Sequence, residues 1–185
     1  MREKEISKNN IKQRNYNPKI TSDFGEGNND FFIERLPMRA LNFSHTISND
    51  FSGNKPHIHI GYFEIFIFIK GNAVYYFDGH KIHLTPGNLI IFPPESLHKT
   101  DVDTNVDYER VVIHFSESYL NKFSTEETDL YEALIDRSNK VYKLDNRILA
   151  NIAYLVDKNM YNIEKDEIAQ DIIIQSEFAI LLSQL

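Results

Sequence analysis

The chain has 185 residues, 42% hydrophobic and 25% charged, which suits one domain with a full core and some helical addition. A formal net charge of −7 with no basic stripe argues against direct binding of duplex nucleic acid. With no cysteine, disulfides and thiolate metal sites are excluded, and any metal must be held by nitrogen and oxygen.

Residues 1 to 30 are polar and rich in Asn and Lys, and read as a flexible N-terminal arm. They lack the apolar centre of a secretory signal, and no later stretch is apolar for long enough to span a bilayer. The expectation is a soluble, cytoplasmic protein with no membrane partner.

From residue 31 the pattern turns to β-structure. "FFIERLPMRALNFSHTISNDF" predicts one or two short strands. "FEIFIFI" is a strand apolar on both faces, hence central, and "AVYYF" is a strand ended by the Asp78–Gly79 hairpin signal. "HKIHL", a Pro86–Gly87 turn, "NLIIF" stopped by Pro93–Pro94, and "YERVVIHF" complete the series. Many short strands without intervening helices predict an antiparallel sandwich or small barrel over about 31–120.

Residues 121–185 predict helices. One begins near Ser124 or Thr125, and a second carries Leu144, Ile148, Ile152, Leu155 and Met160 on one stripe. The last carries Ile168, Ile172, Gln175, Phe178, Ala179, Leu182 and Leu185. It ends on Leu185 with no stop signal, which reads as a longer protein continuing past this point. Three consecutive isoleucines, Ile172 to Ile174, cover more circumference than one packing partner needs. Either this helix is deeply buried, or part of its face, with Ile172, Phe178 and Leu182, forms an isologous dimer seam.

The chemistry concentrates in "HIHIGYFEIFIFIKG". On a strand His57 and His59 share a face, but Glu64 has the wrong parity unless Gly61 hosts a bulge. With that bulge the histidines, Glu64, Phe66 and Phe68 project into one interior, and His98 of "PPESLH" supplies a fourth donor. Three imidazoles and a carboxylate suit Zn, Ni, Fe, Mn or Cu. Neutral histidines would alternatively hydrogen-bond a polar effector. Phe66, Phe68 and Tyr76 are candidate lining residues of a small-molecule pocket. Arg110 and His114 share one face of "YERVVIHF" and look either into the barrel, where Arg110 would suit an anionic ligand, or out to water, the reading favoured here. His80 and His83 belong to the solvent-facing end of a hairpin.

"GNKPHIHIGYFEIFIFIKG" resembles the first cupin motif, and "GNLIIFPPESLH" the second, with Glu95 where a glycine is usual. Together with "YERVVIHFSESYL", these stretches resemble the N-terminal sensing and dimerisation domain of AraC-type transcription regulators over about residues 31 to 135. The resemblance implies a cupin-like antiparallel β-barrel (a jelly roll) followed by a helical dimerisation segment. It also implies a small-molecule effector, often sugar-like, a homodimer, and transcription control through a C-terminal helix-turn-helix DNA-binding domain outside this chain. His57, His59, Glu64 and His98 would be the metal set, and the protein would not be an enzyme. The competing expectation is a stand-alone metal-dependent cupin enzyme, an isomerase or dioxygenase, with Glu64 serving the metal or acting as a base.

Overall fold

The computed structural model describes residues 32–34, 40–163 and 169–185. The arm over 1–30 and Ile168 lie outside the described residues.

Ten strands form two facing five-stranded sheets. In chain order they are β1 (Phe32–Ile33), β2 (Leu41–Ser48), β3 (His57–Ile58), β4 (Tyr62–Lys70), β5 (Ala73–Phe77), β6 (His80–His83), β7 (Asn88–Phe92), β8 (His98–Val102), β9 (Tyr108–Ser116) and β10 (Val141–Lys143). One sheet runs β1-β3-β8-β5-β6 and the other β10-β7-β4-β9-β2. From β4 onward the chain passes repeatedly between the sheets, and every described pairing is antiparallel except β1 with β3. This is the cupin-like barrel that the strand pattern and the resemblance predict.

β4 is apolar on both faces because it separates two cores. Phe66 and Phe68 face the barrel interior with Tyr75, Phe77, Phe92 and Tyr108. Phe63, Ile65 and Ile67 face the other way, beneath the helices, with Ile113, Phe115, Ile152 and Phe178. Alternating side chains thus serve two apolar layers. The turn signals hold: Asp78 (φ 48°) and Gly79 (φ 73°) join β5 to β6 in the left-handed geometry that a two-residue hairpin requires.

The helices are α1 (Glu117–Leu120), α2 (Leu130–Arg137), α3 (Asn146–Ile163) and α4 (Gln170–Leu182). α2 starts later than the sequence predicts. Its N-cap is Asp129, which accepts from the amides of Tyr131 and Glu132, while Ser124 and Thr125 bond amides of the preceding loop and of Leu130. The helical region also returns one strand to the barrel, since β10 pairs with β7 at Val141↔Ile90.

α4 is rotated relative to its expected stripe. Glu177, Phe178 and Leu181 point inward, whereas Ile172, Ile173 and Ile180 point outward. The helix is apolar around most of its circumference, so periodicity gave no unique inward face. The structure decides it through Phe178, whose ring meets Phe43, Phe115, Tyr119 and Phe123. Phe178 is therefore core of this chain rather than part of an exposed seam. Leu182 is partly buried against the same core, and Ile172 is 61% exposed.

Candidate functional site

Four strands, β3, β4, β8 and β9, and the turn that follows β3 bring the polar residues to one end of the barrel. His57 belongs to β3, His98 opens β8, and the two are directly paired partners. Glu64 lies near the start of β4, opposite His114 of β9. The reason His57, His59 and Glu64 meet differs from the expected bulge. Gly61 (φ 73°) sits in a turn that carries the chain from one sheet into the other, so the residues face one another across the sandwich. Only glycine adopts that backbone geometry freely. The two motifs are then tied together where the Glu95 amide donates to the His59 carbonyl at 2.9 Å. Glu95 holds φ 66° at the position where the second cupin motif that this stretch resembles has a glycine.

All four expected donors, His57, His59, Glu64 and His98, are buried, with one ligating atom from each within 4.8 Å of the others. The Nδ1–H of His57 donates to the Lys55 carbonyl and that of His98 to the Ser96 carbonyl, each at 2.8 Å. These bonds orient both rings so that each Nε2 faces the site. Phe92 stacks on the His98 ring at 4.3 Å and holds its plane.

Glu64 is the hub. Its Oε2 accepts from His59 Nε2 at 2.8 Å and from His114 Nε2 at 3.0 Å, and its Oε1 accepts from the Tyr75 hydroxyl at 3.2 Å. Burial alone would push this carboxyl up. His98, His114 and His59 outweigh it and hold Glu64 well below the usual carboxylate range. His57 moves the other way: burial first, then the neighbouring His98, pushes it down to about 3, so the ring is neutral at physiological pH. Burial and the Glu64 charge raise the Tyr75 hydroxyl well above its ordinary value, keeping it a donor.

Two further contacts join imidazoles to carboxylates at the site. His98 Nε2 lies 3.3 Å from Glu64 Oε2 without forming a hydrogen bond, and His57 Nε2 lies 3.3 Å from Glu34 Oε2. Both lie within ion-pair distance, and buried groups brought together in this way are costly unless they are paired with one another or bridged by a cation. The donor set, three buried imidazoles and one buried carboxylate, fits a divalent transition metal.

The remaining sequence candidates lie elsewhere. Phe66 and Phe68 are fully buried in the interior aromatic core and sealed from solvent. Tyr76 is on the outer face of β5, its ring beneath the ammonium groups of Lys99 and Lys81, because strand alternation turns Tyr75 inward and its neighbour outward. Arg110 pairs with Phe68 on β9, four residues from His114 and roughly 13 Å along the strand. Its guanidinium lies over the Phe51 ring at 4.5 Å. It faces the opposite end of the interior from the histidines. His80 and His83 are exposed.

Three residues of the site were not assigned to it from sequence. His114 was read as facing water, although its parity with Val112 already placed it on the interior face. Tyr75 stood in the aromatic run but was not separated from Tyr76. Glu34 gave no signal, because the short parallel strand β1 that delivers it pairs across more than twenty residues.

The family model for the AraC-like ligand binding domain matches residues 46–181, most of the chain. No curated protein matches it. Among solved structures, one described as a predicted oxalate decarboxylase from Thermotoga maritima is 22% identical, with 40% of this chain and 64% of that one covered and a TM-score of 0.37. The chain thus spans just under two thirds of that protein's length. A cupin 2 conserved barrel domain protein from Salinispora arenicola CNS-205 is 17% identical over 56% of this chain and 79% of that one, with a TM-score of 0.38. A cupin superfamily protein from Desulfitobacterium hafniense DCB-2 is 18% identical over 44% and 72%, also with a TM-score of 0.38. At these values the likenesses assign no activity to this chain. Among the described residues no helix is long and apolar enough to cross a membrane. The match of the family model over most of the sequence is the finding that decides, and the chain belongs to the AraC-like ligand-binding domain family.

Proposed function

We propose that this chain is the effector-sensing and dimerisation domain of an AraC-type transcription regulator. It binds a small polar, sugar-like molecule at the histidine-rich end of its barrel and controls a helix-turn-helix domain that follows in the intact protein. His57, His59, Glu64 and His98 hold a divalent transition metal there, Zn, Ni, Fe or Mn, which would present a Lewis-acidic centre to effector oxygens. The observation that carries this reading is the convergence of four buried donors, His57, His59, Glu64 and His98, whose ligating atoms lie within 4.8 Å of one another. The tightly filled aromatic interior supports an effector seated at the barrel end rather than deep inside.

The outward apolar side chains supply the second half of the reading. Ile172, Ile173 and Ile180 on α4, with Tyr154 and Tyr161 on α3, form the surface for a second copy. A ligand shifts a two-state regulator only as far as its affinities for the two states differ, so effector binding must favour one arrangement of this pair.

Thermal denaturation against a library of sugars, sugar acids and related metabolites, with protein pre-loaded with Zn2+, tests the proposal. At least one compound should raise the midpoint of the wild type and have no effect on His98→Ala. If every compound that raises the midpoint acts equally on both proteins, the effector does not bind at this cluster.

The stand-alone enzyme remains the second reading, since the same four donors would serve a metal-dependent cupin enzyme. Among the described residues, Glu34 is the one acid or base near the cluster besides Glu64, Tyr75 and the histidines.

A further inference from the structure

The end of the barrel interior opposite the histidines carries polar groups that neither the cluster nor the apolar core accounts for. Tyr108 and Arg110 lie on the inward face of β9, in line with Val112 and His114, because alternate residues of a strand share a face. Phe51, from the segment that follows β2, closes this end. Its ring stacks on Tyr108 at 5.4 Å, and the Arg110 guanidinium sits 4.5 Å from its centroid. That segment is tied to β8, since the Val102 amide donates to the Ser52 carbonyl at 3.1 Å and the Asn54 amide to the Thr100 carbonyl at 2.8 Å.

What this end lacks is an acceptor. The Tyr108 hydroxyl and the Arg110 Nε–H are buried and complete no hydrogen bond. A guanidinium offers only N–H donors, so it cannot take the Tyr108 proton. Burial pushes the Tyr108 hydroxyl up to about 12, against the opposing charge of Arg110 beside it, and it stays a donor at physiological pH. The neighbouring acidic side chains are engaged elsewhere: Asp107 with Lys70, Glu109 with His45 and Asp101 with Lys99. Among the described residues none forms an ion pair with Arg110. A guanidinium half-buried among aromatic rings without a counter-charge is costly, because nothing offsets its desolvation.

From this geometry we infer that Arg110 and Tyr108 form a second binding site, for the carboxylate of a small organic acid, beneath the ring of Phe51. A carboxylate accepts two parallel hydrogen bonds from a guanidinium fork and keeps lone pairs for the hydroxyl. One guanidinium balances one carboxylate, whereas a phosphate monoester carries about −1.5 to −2. The rings of Phe51, Phe68 and Tyr108 suit an apolar body behind the acid group. Phe51 is half-buried and Tyr108 almost completely buried, so the Phe51 ring is what moves aside to admit the ligand. The site uses no metal and stands apart from the histidine cluster.

Proton–nitrogen NMR of the arginine Nε–H groups tests the inference on the full 185-residue chain, with EDTA present so that no ion at the histidines contributes. The signal missing from Arg110→Lys or Arg110→Gln identifies Arg110. On titration with sodium acetate, propionate and benzoate at constant ionic strength, that signal should move downfield and saturate, while those of the other arginines stay in place. Tyr108→Phe should bind the same acids about tenfold more weakly, through loss of one hydrogen bond to a charged group. Phe51→Ala, without the covering ring, should bind at least as tightly as wild type. Circular dichroism establishes that each variant folds. If no carboxylate moves the Arg110 signal in wild type or in Phe51→Ala, or if chloride moves it as far, Arg110 is a structural cation held by the rings and the second site is overturned.

Discussion

Replacing Phe178 with Ala removes the ring that pins α4 to the barrel. The side chain is fully buried, and its ring centroid lies 5.1–5.5 Å from those of Phe115, Tyr119 and Phe123, with Phe43 at 6.5 Å. Truncating a buried Phe to Ala costs about 3–5 kcal/mol, through lost transfer energy and the cavity left behind. The upper part of that range is expected here. Four aromatic partners lose edge or tilted contacts worth about 0.5–1.5 kcal/mol a pair beyond their area. The neighbours belong to β2, β9, α1 and the loop after it, so no single element can collapse into the space. Urea denaturation followed by far-ultraviolet circular dichroism would read the effect as a lowered midpoint with a similar slope. A loss below about 1 kcal/mol, well short of a buried Phe truncation, would refute the placement of Phe178 inside this chain. It would instead support the seam that the helical periodicity first suggested.

The converse substitution should separate seam from core. Ile172→Ser, at an exposed position, should change stability by less than about 0.5 kcal/mol, yet shift sedimentation from dimer toward monomer; an unchanged dimer would remove that face from the interface. Glu95→Gly should stabilise the protein by about 0.5–1 kcal/mol, because left-handed backbone is costly for a residue with a Cβ and part of the gain is returned by glycine's freedom in the unfolded chain; a lower urea midpoint would contradict this. His45 clamps β2 to α3 and β9 through Asp157 at 2.7 Å and Glu109 at 2.9 Å. Burial lowers its pKa, but the hydrogen bonds and charges of the two carboxylates outweigh that and leave it raised above 6.5. Its contribution is therefore complete below pH 6.5 and lost as pH rises through the folded value. The stability gap between wild type and His45→Gln should be larger at pH 6 than at pH 8.5, and a gap independent of pH would contradict the clamp.

The barrel was legible because its signals are local. Asp78–Gly79 and Pro86–Gly87 mark turns wherever they occur, and the two-faced run from Phe63 to Phe68 can only be central. The meeting of His57, His59, Glu64 and His98 was also expected, although for a different backbone reason. A bulge and a turn between sheets both use Gly61, and sequence alone cannot tell them apart. What failed depended on long-range packing. α4 is apolar almost all round, so only the pocket formed by Phe43, Phe115, Tyr119 and Phe123 determines which side turns in. Tyr75 and Tyr76 are chemically alike, and a shift of one residue in register exchanges their roles. Glu34 reaches the site through a two-residue parallel strand, too short to leave any periodicity.

The central claim is that the buried histidines and Glu64 form a cation-binding centre rather than a structural polar core. Metal analysis by mass spectrometry, on chain purified without an affinity tag, tests it most directly. The wild type should hold about one divalent transition metal ion per chain, and His59→Ala should lose most of it. A wild-type chain that holds none, even after equilibration with Zn2+, Ni2+, Fe2+ and Mn2+, would contradict it.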